Sequence, residues 1–101
     1  MGRLPDGYRA LVDAVRQGRG TATAEQRIRA FRNTETDPAL RPLLDKVATR
    51  PTGITDADFD RARAAGLTDD QLFEVVVAAA VGRSTRMYES ALAALDEATA
   101  G

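Results

Sequence analysis

The side chains that most often carry out covalent and metal-dependent chemistry are missing from this 101-residue sequence, which has no cysteine and no histidine. A thiolate nucleophile, a zinc site built on cysteine or histidine and a histidine general base are therefore excluded. Glycine-rich phosphate loops, nucleophile–base pairs and carboxylate pairs at a catalytic spacing are missing as well. The sequence predicts no catalytic residue, no metal site and no cofactor.

Three polar residues near the end of the chain are candidate ligand-binding residues. Arg83, Arg86 and Glu89 follow one another at intervals of three, directly after a nonpolar segment. On a helix this spacing predicts one of two things. The residues line a site for a small acidic substrate, or they form a row of surface ion pairs worth roughly 0.2–0.5 kcal/mol each. The surface row is the simpler interpretation, and the sequence leaves both open.

An aspartate-rich segment begins like a calcium loop. The pattern Asp56-x-Asp58-x-Asp60 would need glycine at the sixth position and glutamate at the twelfth, where this chain has Arg61 and Leu67. The three aspartates are better explained as charges in the first turn of a helix, where the helix dipole favours them. No calcium site is predicted.

The segment 62–75 has the spacing of a DNA-binding helix–turn–helix motif. A recognition helix presents polar or basic side chains to bases and phosphates at its start. Here that position carries Asp69, Asp70 and Glu74, which the phosphates would repel. Nucleic acid is therefore not expected as a partner.

Charge and hydropathy limit the other partners. Residues 1–50 carry ten basic and six acidic side chains, a net charge of +4, whereas residues 51–101 carry four and nine, a net charge of −5. This asymmetry either steers association or belongs to solvated helix faces. The longest nonpolar stretch, Val75 to Gly82, has eight residues, against the ~20 that cross a bilayer. The first ten residues lack an apolar signal core. We expect a cytoplasmic protein without membrane contact.

Apolar residues recur at helical spacing along the whole chain, which predicts one all-α domain over residues 1–101 with about five or six helices. Capping signals mark three of the helix starts: a Thr-x-x-Gln box at Thr23 and at Thr68, and a capping threonine at Thr55 with Ile54 and Phe59 as a hydrophobic staple. The predicted helices run from about Asp6 to Gln17, from a cap at Thr23, from Pro42, from a cap at Thr55 to Gly66, and from Asp69 to about Thr99.

The last predicted helix is too long for a small globule. Thirty residues span ~45 Å, whereas a 100-residue globule is about 35 Å across. The helix must break near Gly82 or project into a neighbouring subunit. In addition, Val75 to Val81 is nonpolar on every side, and such a helix is usually buried on every side. A homo-oligomer, either a dimer or a trimer, is therefore predicted.

The stretch 62–80, ARAAGLTDDQLFEVVVAAA, resembles a segment of the carboxymuconolactone decarboxylase and alkylhydroperoxidase D-like family. The resemblance covers about residues 54–95. It implies the helical packing of that family and its assembly into trimers or larger rings. The Cys-x-x-Cys pair and the histidine of the family would fall at Pro51, Ile54 and Asp58, and its acidic relay residue near Ala39. No catalytic residue of the family carries over.

The resemblance implies a catalytically degenerate member that acts as an oligomeric accessory or binding subunit, alone or paired with an active relative. Two alternatives stay open. One is a non-thiol enzyme that acts on a small acidic substrate through Arg83, Arg86 and Glu89. The other is a plain protein-interaction module.

Overall fold

The computed structural model describes residues 6–17, 20 and 22–100, and this part of the chain is all-helical. It contains five α-helices and one short 3-10 turn at Pro51–Gly53, and no strand. The predicted all-α class is confirmed. The helices are α1 (Asp6–Gln17), α2 (Ala24–Arg32), α3 (Arg41–Thr49), α4 (Asp56–Ala64) and α5 (Asp69–Ala100).

Both predicted capping boxes form. The Thr23 amide donates to the Gln26 side-chain oxygen at 2.9 Å, and the Gln26 amide donates back to the Thr23 hydroxyl at 3.1 Å. Thr68 and Gln71 repeat both distances at the start of α5. Each box gives partners to amides that a helix start leaves unbonded. These helix starts could be predicted because their signals are local.

The other boundaries need small adjustments. Helix α3 begins at Arg41 rather than at Pro42, because a proline in the first turn lacks only an N–H that would have no intrahelical partner. Gly66, which follows α4, has φ 102°. This is the left-handed conformation that the sequence predicted for the residue after the helix.

The core lies around the first half of α5, which packs mainly against α2 and α3. Helix α1 closes one side: its Tyr8 hydroxyl lies 3.1 Å from the buried Thr85 hydroxyl, and the Tyr8 ring stacks on Tyr88 with centroids 6.2 Å apart. The main buried side chains of this core are Ala30, Leu40, Leu43, Leu44, Val47, Ala62, Leu72, Val75, Ala78 and Ala79.

Helix α5 runs without a break through Gly82, so the predicted interruption there does not occur. Gly82 instead lets α5 approach α2 closely: a Cβ atom at this position would lie 2.0 Å from the Phe31 carbonyl oxygen. The glycine thus serves a helix crossing rather than a helix end.

The second half of α5 projects from the body of the protein. The described residues extend 52 × 29 × 19 Å, and 32 residues of helix account for ~48 Å of the longest dimension. Beyond Thr85 no described residue is buried. A projecting helix was one of the two predicted outcomes. Among the described residues, no helix is long and apolar enough to cross a membrane.

The segment Val75 to Val81 is not buried on every side within this chain, and its burial in an oligomer stays a prediction. Val75, Ala78 and Ala79 are buried, whereas Ala80 is exposed and the other residues are half-buried. The neighbouring helices cover only part of the circumference of α5. One nonpolar face of the helix is left towards solvent.

Candidate functional site

Arg86, one of the three predicted ligand-binding residues, contacts the end of α2. Its guanidinium donates a hydrogen bond of 2.6 Å to the Phe31 carbonyl oxygen. That carbonyl belongs to the last turn of α2, where carbonyls have no partner within the helix. Arg86 therefore caps α2 from a neighbouring helix.

The other two predicted residues belong to the same helix as Arg86. Arg83 and Glu89 lie within one turn of Arg86 on α5 and are half-buried. Within the described ranges no ion pair joins any two of the three residues. The grooves described below are lined by other side chains. A ligand site at Arg83, Arg86 and Glu89 stays a prediction.

Two open apolar grooves flank Phe73, whose side chain is 70% exposed. The first lies between α5 and the α1–α2 side of the body and has a volume of about 190 Å³. The second lies between α5 and α4 and has a volume of about 280 Å³. The first is lined by Ala14, Val15, Arg27, Phe73, Glu74 and Val77, and the second by Phe59, Arg63, Asp69, Leu72, Phe73 and Val76.

Polar groups at the edges of the grooves are held by local partners. A Glu74 carboxylate oxygen accepts the Ala22 amide at 2.9 Å, which holds the segment before α2 against α5. At the second groove, the Arg63 guanidinium donates to Asp69 at 2.9 Å. The grooves therefore combine apolar walls with polar rims, the usual anatomy of a protein-binding surface.

The exposed surface at Phe73 continues along the whole of α5. Eight residues from Phe73 to Ala98, spaced alternately by four and three, lie on this face, and we call them the α5 stripe. Val77 is half-buried and all the others are exposed. The large side chain Met87 is 60% exposed, and Leu95, directly beside the stripe, is 53% exposed. The α5 stripe consists of Phe73, Val77, Ala80, Ser84, Met87, Ala91, Ala94 and Ala98.

Sequence reasoning missed the α5 stripe because the stripe is hard to see in an alanine-rich helix. Between Val75 and Val81 every position is nonpolar, so the spacing alone does not separate the core face from the exposed face. The charged residues carry the signal: from Phe73 to Ala98, none falls on this face.

A polar groove of about 260 Å³ lies beside the loop that joins α2 to α3. The buried Glu35 carboxylate organises this loop by accepting the amides of Thr36 at 2.9 Å and Asp37 at 3.2 Å, with the Arg29 guanidinium at 3.4 Å. Across the described residues, no group of three or more acidic side chains is arranged to hold a metal ion. The hydrogen bonds of the Glu35 carboxylate to this loop account for its burial.

Asp58 lies in the first turn of α4, as the sequence predicted, and its side chain is buried there. Its side chain is only 3% exposed and accepts hydrogen bonds from the Lys46 ammonium at 2.8 Å and the Thr55 amide at 2.9 Å. The lysine hydrogen bond and then the amide lower the pKa of Asp58 from 3.8 to about 2. Asp58 therefore joins α3 to α4 as a structural anion.

Comparison of the chain with models of known protein families, with curated proteins and with solved structures finds no match. Functional inference for this chain therefore starts from the α5 stripe and the two grooves beside it.

Proposed function

We propose that this chain is a self-associating helical subunit with an accessory or binding role and no catalytic chemistry of its own. The observation that carries the proposal is the uncharged, exposed face of α5, with Phe73 at one end and Leu95 near the other. As part of the same proposal, the chain is a degenerate relative of the carboxymuconolactone decarboxylase and alkylhydroperoxidase D-like proteins. The likeness of residues 62–80 to that family supports it.

Leaving this apolar face of α5 in water is unfavourable in free energy. Phe73, Met87 and Leu95 together expose on the order of 300 Å² of largely apolar surface, to which the alanines of the stripe add more. Monomeric proteins rarely expose contiguous apolar patches above a few hundred Å² unless the patch binds something. Burial would contribute about 25 cal/mol per Å², and this contribution favours association through this face.

The enzymatic alternative has less support. A site for a small acidic substrate needs Arg83, Arg86 and Glu89 to converge on one cavity, whereas the Arg86 guanidinium already binds the Phe31 carbonyl. The alternative of a plain interaction module differs from our proposal only in its partner, and it predicts a monomer until that partner is added.

Light scattering of the purified chain over about 1–300 µM tests the proposal. We expect a mass that is a multiple of 10.8 kDa and that falls on dilution. A mass of 10.8 kDa throughout this range, with a fully helical circular dichroism spectrum, would overturn self-association.

A peroxidase assay tests the proposed absence of catalytic chemistry. The metal-free protein is expected to reduce hydroperoxides no faster than the solution background with any dithiol donor, because it has no thiol to form a thiolate. Turnover above background would contradict a non-catalytic role.

A further inference from the structure

We infer, on the basis of the proposed function, that the partner of the α5 stripe is the same stripe on a second copy of the chain, running antiparallel. In this pairing Phe73 of one copy lies opposite Ala98 of the other. The two-fold axis passes between Ser84 and Met87.

The geometry of α5 places the uncharged residues along one line. At 100° per residue, eleven residues between Phe73 and Ala98 fall within about 60° of a single line along α5, and none of them is charged. The eight residues of the α5 stripe repeat at intervals of four and three. An average spacing of 3.5 residues is the pattern that keeps two helices in contact along a seam.

The order of side-chain sizes along the stripe points to a second copy of the chain as its partner. The stripe begins with Phe73 and Val77 and ends with alanines only. A reversed copy therefore sets each of the large residues Phe73, Val77 and Met87 against a small one, which is how facing positions interdigitate without voids. The layers are Phe73 with Ala98, Val77 with Ala94, Ala80 with Ala91, and Ser84 with Met87.

A parallel pairing would be uneven. It would set Phe73 against Phe73 at one end and Ala98 against Ala98 at the other, so the helices would be forced apart at one end and left loosely packed at the other. Such mismatches cost stability through overpacking and through voids. The antiparallel order avoids both.

Leu95 lies beside the α5 stripe, on the same side of the helix as Val77. In the antiparallel register, Leu95 of the second copy lies level with residue 76 of the first. It therefore lies over the 190 Å³ groove lined by Phe73, Val77 and Val15. The exposed Leu95 side chain of one copy thus fills the open groove of the other, and both apolar surfaces are buried.

The length of the contact also suits a stable dimer. The overlap from Phe73 to Ala98 is about 39 Å long, and the groove walls add to its width. A standard stable interface covers about 800 Å² per partner, which needs an extended contact of this kind. In such a dimer both chains use the same surface, so the contact is two-fold symmetric and no further copy can add to it.

Engineered cysteines test the direction and the register, because the chain has no cysteine of its own. Residues 80 and 91 are ~16 Å apart along one helix, too far for a disulfide within a chain, which needs Cα atoms within about 7 Å. We expect the double variant Ala80→Cys/Ala91→Cys to form a covalent dimer on mild oxidation. Ala80→Cys alone should stay uncrosslinked, as should the matched control Ala93→Cys on the opposite face.

The outcomes separate this inference from the proposed function. Crosslinking of Ala80→Cys alone would indicate a parallel or shifted seam. An associated protein in which the double variant does not crosslink would place the interface on another surface. Either result would overturn the inference and leave the proposed function standing, whereas a monomeric wild-type chain would overturn both.

A pair of arginine variants checks the same seam without oxidation. Ala91→Arg places a charge in the layer with Ala80 and is expected to raise the dissociation constant at least 100-fold. Ala93→Arg, an equally exposed alanine off the stripe, should leave it within about twofold. Equal dissociation constants for the two variants would overturn the inference.

Discussion

Asp58 is a buried charged residue that stabilises the packing of α3 against α4. Its carboxylate is almost fully buried, yet the Lys46 ammonium and the Thr55 amide supply the hydrogen bonds that water would otherwise make. Such an anion stabilises the folded state only while it stays ionised. The contact is also the direct polar link between α3 and the first turn of α4.

The pH dependence of unfolding follows from this environment. The folded-state pKa of about 2 lies below the ordinary value of 3.8, so the contribution is complete above about pH 4 and is lost as the pH falls towards 2. Asp58→Asn should lower the free energy of unfolding at pH 7 and flatten its decline between pH 4 and 2. Urea unfolding at a series of pH values measures this decline.

Asp60→Asn is the matched control, because the Asp60 side chain lies in the same helix and is 75% exposed. It should leave the stability at pH 7 and the profile close to wild type. A profile for Asp58→Asn that parallels wild type between pH 4 and 2 would contradict the role of the buried anion.

The residues show where sequence reasoning reaches its limit. Thr23 and Thr68 could be predicted as caps because their partners lie three residues away. The contact of Asp58 with Lys46 spans 12 positions and that of Arg86 with Phe31 spans 55. No local pattern encodes such distances, so the sequence predicted neither the Lys46 contact of Asp58 nor the Phe31 contact of Arg86.

At the scale of elements, the crossing of α2 and α5 determines how the body is packed. Gly82 and Arg86 are one turn apart on α5, and both face the Phe31 carbonyl: the glycine admits the carbonyl, and the guanidinium binds it. The sequence marked Gly82 as a candidate break because glycine weakens helices. The tertiary contact reverses that interpretation.

Gly82→Ala should therefore destabilise the protein even though alanine is the better helix former. The new Cβ would lie 2.0 Å from a backbone oxygen, so the two helices must move apart, at a cost of about 1–3 kcal/mol. Urea or thermal unfolding measures the loss.

Gly7→Ala provides the control. Gly7 lies in α1 with nothing within 4 Å of its added Cβ, and this change should leave stability unchanged or raise it by up to about 1 kcal/mol. If Gly82→Ala were as stable as wild type, the close crossing would be wrong.

At the scale of the whole molecule, the chain consists of a packed body and a projecting helix. All buried residues of the described ranges lie at or before Thr85, so the core is complete before the last four turns of α5. The same helix thus supplies the centre of the body with its first half and an exposed arm with its second. The length of α5 could be predicted from the sequence, but its direction could not, because that depends on which of its faces the other helices cover.

A chain that ends after Ser90 separates these two parts. Because the deleted residues contribute no buried side chain among those described, the shortened protein should keep its helical spectrum and unfold cooperatively. It loses the alanines that face Phe73, Val77 and Ala80 in the proposed seam. Light scattering should therefore give a monomer at concentrations where the full chain associates. A shortened chain that still associates would place the interface within the body, and one that fails to fold would show that the projecting half of α5 stabilises the core from outside it.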